Sequence, residues 1–290
     1  MKAGFVNIFG KPNAGKSTLL NALLGEKLAI VSPKVQTTRH RIKGILTTPG
    51  YQIVISDTPG IIEPKYKLHE KMMMAVKEAL EDADVAILLH DLTDIDTSES
   101  DAIFSALKLK VPVLVICNKT DKVSAAHTEA TLSFFRQQPY CQQAIAVSAS
   151  KQKGTKELPQ LMASMLPEGD PFFPEDDISD LPSRFFVGEL IREKIFELYS
   201  EEIPYHTTVL VQAFKEKSTL IKIQADIIVQ RETQKGIILG ERGQGIKKLG
   251  TAAREEIEKF LGQKVFLELF VKVKPKWRDN DIFLKEYGYH

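Results

Sequence analysis

Cysteine is nearly absent from this chain. The two present, Cys117 in an apolar run and Cys141 beside a turn, have neither metal-ligand spacing nor the density of a disulfide framework, which fits a reducing compartment. No stretch reaches the roughly eighteen consecutive apolar residues that a spanning helix needs. The first residues enter a strand-like run directly, without the charged region, apolar stretch and cleavage site of a secretory signal. A strong net charge is missing too: 39 Lys and Arg stand against 38 Asp and Glu, a formal +1, so no global basic field announces a nucleic acid. The expectation is a cytosolic protein without a transmembrane segment.

What is present is ordinary in bulk and uneven in distribution. The 290 residues suffice for two domains, and 43% hydrophobic with 27% charged residues is the balance of a folded globular chain. From Arg231 onward thirteen Lys and Arg face nine Asp and Glu, a local +4, whereas 167–182 carries acidic charges alone.

The stretch with the most chemistry in it is Gly10-Lys11-Pro12-Asn13-Ala14-Gly15-Lys16-Ser17, between the apolar run 3–9 and the apolar-periodic segment 18–24 that Gly25 stops. Gly10 and Gly15 let the backbone wrap so that successive N–H groups, including those near Ala14 and Thr18 at the helix start, point inward at an anion. Lys16 would reach terminal phosphates and the Ser17 hydroxyl would ligand a magnesium ion.

Downstream, 29–41 is polar and without period, and reads as a mobile loop. Strands are predicted over 44–48 and 51–56, split by the turn Pro49-Gly50. The second strand runs into Asp57-Thr58-Pro59-Gly60, where Asp57 could hold magnesium through water and the Gly60 N–H could meet a terminal phosphate. Helices over 69–83, 98–110, 125–137 and 156–166 alternate with strands over 85–89, 111–117 and 144–147. Continuous apolar strands alternating with helices predict a mostly parallel sheet covered on both faces, an α/β fold. The methionines of the 69–83 helix read as core filler.

Two further strand ends choose the base. Asp121, in Asn118-Lys119-Thr120-Asp121, can accept two hydrogen bonds from the N1–H and exocyclic amino group of guanine, a donor pair adenine lacks. Asn118 would fix the loop, the Lys119 stem would cover the base, and the Ala149 N–H of Ser148-Ala149-Ser150 would donate to the guanine O6. A donor left unpaired by the wrong base discriminates strongly.

Together, Gly10–Ser17, Thr37-Thr38, Asp57–Gly60, Asn118–Asp121 and Ser148–Ser150 resemble the five nucleotide motifs of translation-factor-related small GTPases over 1–168. The resemblance implies binding of GTP and GDP with Mg2+ held by Ser17 and a switch-loop threonine, Thr38 in preference to Thr37, and hydrolysis that releases the loop. Lys16, Thr38, Gly60 and Asn13 are the residues it implies for catalysis. Ile61 stands where Ras-like members place a water-orienting glutamine. The chain is instead similar to a subgroup in which potassium supplies positive charge near the transferred phosphate, with Asn13 as its ligand. Asn13 could equally be a loop residue bonding its own backbone.

An acidic, Pro-rich linker is expected over 169–183, with Phe172 and Phe173 docking it. A second domain over 184–290 begins with a helix over 184–199 and strands over 207–214 and 220–229. Gly236–Lys248 then carries Gly240-Glu241-Arg242-Gly243 into a helix with Ile246, Leu249, Ala253, Ile257 and Phe260 at helical spacing, and a strand over 265–273 closes the unit. This part resembles a type II KH RNA-binding domain, an α+β fold whose Gly-x-x-Gly turn clamps a single-stranded backbone. Gly240, Glu241, Arg242, Gly243, Ile246, Lys247 and Lys248 are the implied RNA contacts, with the acid at Glu241 shifting weight to Arg242 and an apolar groove. Trp277 and Arg278 could stack on a base or seal the domain, with sealing preferred for Trp277. A GTPase domain followed by such a domain resembles the ribosome-assembly GTPases. That implies a monomeric switch gripping 16S ribosomal RNA near its 3' end, assisting the small (30S) subunit, and associating peripherally with the cytoplasmic face of the membrane. The rival readings are an ATP-using P-loop enzyme, opposed by Asn118–Asp121, and a C-terminal protein or membrane-surface adaptor.

Overall fold

The computed structural model describes residues 1–289 and divides into two units. The first comprises 1–29, 38–63 and 72–180. It contains β1 (Lys2–Gly10), α1 (Lys16–Leu24), β2 (Ile42–Thr47), β3 (Tyr51–Asp57), most of α2 (Lys67–Glu81), β4 (Val85–Asp91), α3 (Ser98–Ala106), β5 (Val113–Asn118), α4 (Ala125–Arg136), β6 (Gln143–Ala146) and α5 (Leu158–Met165).

The six strands lie in the order β2-β3-β1-β4-β5-β6, all parallel except the β2–β3 hairpin that turns at Pro49-Gly50. Strand β4 shows why: Val85, Ala86, Ile87, Leu88 and Leu89 are all buried, so both faces of the sheet are covered, as parallel strands require. The order reverses at β1, with β3 on one side and β4 on the other, and the loops after β1, β3 and β5 leave the carboxyl edge there. Helix α3 ends at Ala106, four residues short of its expected extent. Lys108 has φ +47° and Leu107 closes a tight turn onto Phe104 (3.2 Å), which breaks the helical ladder before Pro112.

The acidic stretch expected as a linker packs on the first unit as far as Asp180. The Phe172 and Phe173 amides donate to Gln52 Oε1 (2.6 and 3.0 Å), Gln52 Nε2 donates to the Phe173 carbonyl (2.8 Å), and the Phe172 ring meets Phe5. Farther on, Ile45 N–H bonds the Ile178 carbonyl and Lys43 pairs with Asp180. A buried glutamine reading a passing backbone has no signature in composition, which sees only prolines and acids.

The second unit comprises 30–37, 64–71 and the chain from Leu181 onward. Its elements are α6 (Ser183–Leu198), β7 (Thr208–Glu216), β8 (Ile221–Val229), α7 (Glu232–Leu239), α8 (Gln244–Leu261), β9 (Val265–Val273) and α9 (Asp281–Glu286). Strands run in the order β7-β8-β9, with β7–β8 antiparallel and β8–β9 parallel. Ile221, Ile223, Ala225, Ile227 and Val229 alternate onto one face of β8, where Val187, Ile191 and Ile195 of α6 and Leu249, Ala253 and Ile257 of α8 complete the core. Trp277 is fully buried, its indole N–H donating to the His206 carbonyl (3.0 Å) and its rings meeting Tyr287 and Tyr289, so it seals the unit. The short α9, capped by Asn280 onto the Ile282 and Phe283 amides, was not expected; six residues are too few to show a period.

Candidate functional site

Residues 10–17 span the end of β1 and the start of α1 as a turn with Asn13 at φ +63° and Gly15 at φ +98°. A Cβ on Gly15 would lie 2.3 Å from Asn118 Nδ2, so the position needs glycine for space as well as for conformation. Lys16 is buried, its ammonium donating to the carbonyls of Gly10 (3.1 Å) and Lys11 (2.8 Å). Burial lowers its pKa to about 8, with Asp57 pulling the other way. Lys11 leaves the cradle for Asp94 and Glu99.

Three oxygens converge beside it. Ser17 Oγ donates to Asp57 Oδ2 (2.6 Å), Thr38 Oγ1 donates to the same oxygen (3.1 Å), and the two hydroxyls are 2.9 Å apart. Burial pushes the Asp57 carboxyl up against the opposing pull of Lys16 and the two hydroxyls, and Asp57 Oδ1 is buried with no hydrogen-bond partner. A hydroxyl, a second hydroxyl and a half-satisfied carboxylate are a hard oxygen donor set, of the kind that binds Mg2+ together with substrate phosphates. Thr37 does not join them: its hydroxyl donates to the Lys34 carbonyl (2.7 Å). The Ile61 N–H bonds the Gly10 carbonyl (3.3 Å), and a Cβ on Gly60 would lie 2.9 Å from Pro12, so the strand end after β3 lies against the cradle. The Ile61 side chain packs with the cluster containing Phe9 and Val76.

Asn118 joins three motifs. Its Nδ2 donates to the Ala14 carbonyl (2.9 Å) and its Oδ1 accepts the Ala149 N–H (3.0 Å). The Ala149 N–H, expected at the base oxygen, is thus engaged by Asn118, because a buried side-chain amide must satisfy both ends. Lys119, at φ +72°, donates to the Asn13 carbonyl (2.8 Å) and pairs with Asp91, a partner missing from the sequence reading. Burial opposes ionisation of Asp91, but bonds from Lys119 and Thr93 prevail and lower its pKa. Ser148 Oγ donates to Asp121 Oδ1 and lowers that carboxyl's pKa, while Ser150 Oγ sits 3.4 Å from Ser148 Oγ. Asp121 therefore stands as an ionised acceptor at the surface.

In the second unit, α7 ends at Leu239 and a single turn over Glu241–Gly243 leads into α8. Gly240 (φ +69°), Arg242 (φ +49°) and Gly243 (φ +79°) give the turn its reversal. Glu241, Arg242, Lys247 and Lys248 are exposed, while Ile246 packs on the core. Gly245, unassigned in the sequence reading, is the tightest point: a Cβ there would lie 2.6 Å from the Ile238 carbonyl, so the two helix ends can approach only without a side chain. Ile237 is 51% exposed on α7, an apolar group next to a basic turn.

Comparison with known proteins agrees with both units. The family model for "50S ribosome-binding GTPase" matches residues 5–119 and that for "KH domain" matches 202–278. The chain is similar to the GTPase Era of Geobacter sp. (strain M21), 45% identical over 99% of this chain and 98% of that one. It is likewise similar to that of Clostridium kluyveri, 44% identical over 100% and 99%. Among solved structures, a crystal structure of Era in complex with MgGDPNP and nucleotides 1506–1542 of 16S ribosomal RNA superposes with a TM-score of 0.93 at 41% identity, covering 100% of this chain and 99% of that one. An Aquifex aeolicus Era variant bound to GDP.AlF4- reaches 0.94 at 40% identity with the same coverage.

Proposed function

Since this chain belongs to the GTPase Era family and is a GTP-hydrolysing enzyme with a KH domain, we propose that it couples GTP hydrolysis to a grip on 16S ribosomal RNA near its 3' end during maturation of the small ribosomal subunit. The observation that carries the nucleotide half is the meeting of the Ser17 and Thr38 hydroxyls at the buried carboxylate of Asp57, with the buried Lys16 acting on it electrostatically. Ser17 and Thr38 would hold Mg2+ directly and Asp57 through water, the ion offsetting charge on the phosphates. Lys16 offers its ammonium to the terminal phosphates, and the α1 N-terminus adds inward N–H groups. Asp121 accepts the two N–H donors of guanine, and the Asn118 bonds keep the cradle and the base loop in fixed register.

Ile61 cannot orient an attacking water. We assign positive charge near the reacting phosphate to a potassium ion held with the help of Asn13, which belongs to the turn between β1 and α1. Hydrolysis is then severalfold faster in potassium than in sodium buffer, and equal rates would remove potassium from the account.

For the RNA half, the Gly240–Gly243 turn, the exposed Arg242, Lys247 and Lys248, and Ile237 beside them make a surface for one single-stranded backbone and an unstacked base. The likeness to an Era bound to nucleotides 1506–1542 of 16S ribosomal RNA supports that choice of partner. The double variant Lys247→Glu, Lys248→Glu, at exposed positions that leave the turn's glycines in place, should lose at least about tenfold in affinity for a 3'-terminal 16S fragment, as two charge reversals along a phosphate path require, with GTP binding intact. Unchanged RNA affinity in filter binding would instead favour an adaptor that holds protein or lipid.

A further inference from the structure

Strands β4 and β5 end side by side at the carboxyl edge of the first unit's sheet, with Asp91 in register opposite Asn118. Both chains then leave the sheet, and the Leu92 N–H bonds the Asn118 carbonyl (3.0 Å), which keeps the two exits together. The residue after Asn118 is Lys119. Its φ of +72° is a left-handed conformation that a residue with a Cβ adopts at a cost, and such strain persists only where the surroundings over-determine it. They do so here: the Thr120 N–H bonds the Val147 carbonyl (3.1 Å), the Lys122 N–H bonds the Lys119 carbonyl (3.0 Å), and the Lys119 ammonium has two acceptors.

One acceptor is the Asn13 carbonyl of the cradle, at 2.8 Å, and the other is Asp91 Oδ2. An ammonium on a flexible stem is a point charge without a preferred plane, so a single acceptor fixes its head and leaves the stem free to swing. The second acceptor removes that freedom. Asp91 is itself held, because its Oδ1 accepts the Thr93 N–H (2.9 Å) and the Thr93 hydroxyl (2.7 Å), so the carboxylate does not turn away to solvent. The pair is sheltered, with side-chain exposures of 12% for Asp91 and 23% for Lys119, and is therefore screened less than an open surface pair. Two successive cradle carbonyls, Asn13 and Ala14, are thus gripped by two successive residues, Lys119 and Asn118. Asn118 is braced from behind by the Ala149 N–H, and Lys119 by Asp91.

We propose that Asp91, oriented by Thr93, is a positioning residue for nucleotide binding: by holding the Lys119 ammonium it lays the lysine stem against the base plane and braces the cradle at Asn13. This role rests on the reading of Lys119 as the cover of the base. The Asp91 carboxylate is taken up by Lys119 and Thr93, and Ser17, Thr38 and Asp57 keep their own contacts without it. Its loss should therefore loosen the nucleotide without slowing the chemical step. The base is common to GTP and GDP, so both should be weakened alike.

The test uses the full chain and two measurements: the dissociation constants of GDP and GDPNP by isothermal titration, and kcat at saturating GTP. Asp91→Asn is nearly isosteric, keeps an oxygen for Thr93 and turns an amide donor towards the Lys119 ammonium. Both dissociation constants should rise about tenfold, the scale of one charge-assisted hydrogen bond, while kcat stays within about twofold. Asp91→Glu, which restores the charge on a longer stem, should recover part of the loss. In a Lys119→Met background the same Asp91→Asn change should cost less than about twofold, since the group it orients is gone. If Asp91→Asn does not fold, Thr93→Val at an exposed position takes its place, with a rise of about threefold that Lys119→Met likewise abolishes. Unchanged affinity in a folded variant, or a loss just as large without the lysine, overturns the positioning role. Unchanged affinity in Lys119→Met alone overturns instead the reading of the lysine as the cover of the base.

Discussion

Asp57 and Asp121 are both carboxylates at strand ends, and their surroundings give them opposite characters. Asp57 is fully buried, burial pushes its pKa up, and one of its oxygens lacks a partner. Such a group is suited to a cation. Asp121 is exposed, and the Ser148 hydroxyl lowers its pKa, so it is an ionised acceptor at the surface, which on the proposed reading would meet the guanine edge. Asp121→Asn replaces one acceptor by a donor, which collides with the guanine amino group and suits the xanthine carbonyl. Preference should move from GTP towards xanthosine triphosphate by a factor of about 30 or more, since one unpaired group costs about 1–3 kcal/mol on each base. Competition binding with the two nucleotides measures it.

At the scale of elements, the cradle turn depends on backbone freedom that only particular residues have. Gly15→Ala forces a left-handed residue with Cβ into the place of Asn118 Nδ2, the group that holds the Ala14 carbonyl. The collision breaks the tie between cradle and base loop, so GTP affinity should fall more than about tenfold at a stability cost of roughly 1–3 kcal/mol. Isothermal titration and urea unfolding of the same sample separate the two effects. Strand and helix order was legible in the sequence because β4 and β5 are continuous apolar runs and α2 between the strands has its own period. The Gly240–Gly243 turn was legible as well. Gly245 was not, because a glycine that lets two helix ends approach looks like any other until the opposing Ile238 carbonyl is in place.

For the folded molecule as a whole, one group through which pH acts on stability is His90. It is buried on β4, hydrogen-bonded to Ser100 (2.9 Å) and packed on Phe135. Burial lowers its pKa to about 4, against the pull of Asp94 and Asp91 and with Lys11 and His127 adding to the fall. The unfolded chain takes up this proton near pH 6.5 and the native state only near 4, so stability falls as pH drops through that window. Roughly 3 kcal/mol is at stake, at about 1.4 kcal/mol for each pH unit between the two values. His90→Asn should flatten the decline: the difference in urea midpoints between variant and parent, followed from pH 7 to 4, should shift steadily in favour of the variant.

Local order was within the reach of the sequence alone. The cradle, the strand-end carboxylates, the loop after β5 and the glycine turn are each contiguous, and contiguous residues carry their spacing in the chain. What the tertiary structure decided are encounters between residues far apart: Lys119 with Asp91, Asn118 with Ala14 and Ala149, Gln52 with the Phe172 and Phe173 backbone, and Arg192 with Thr37. A buried polar group needs partners but does not name them, so its sequence neighbours reveal the demand while only the fold supplies the donor or acceptor that meets it.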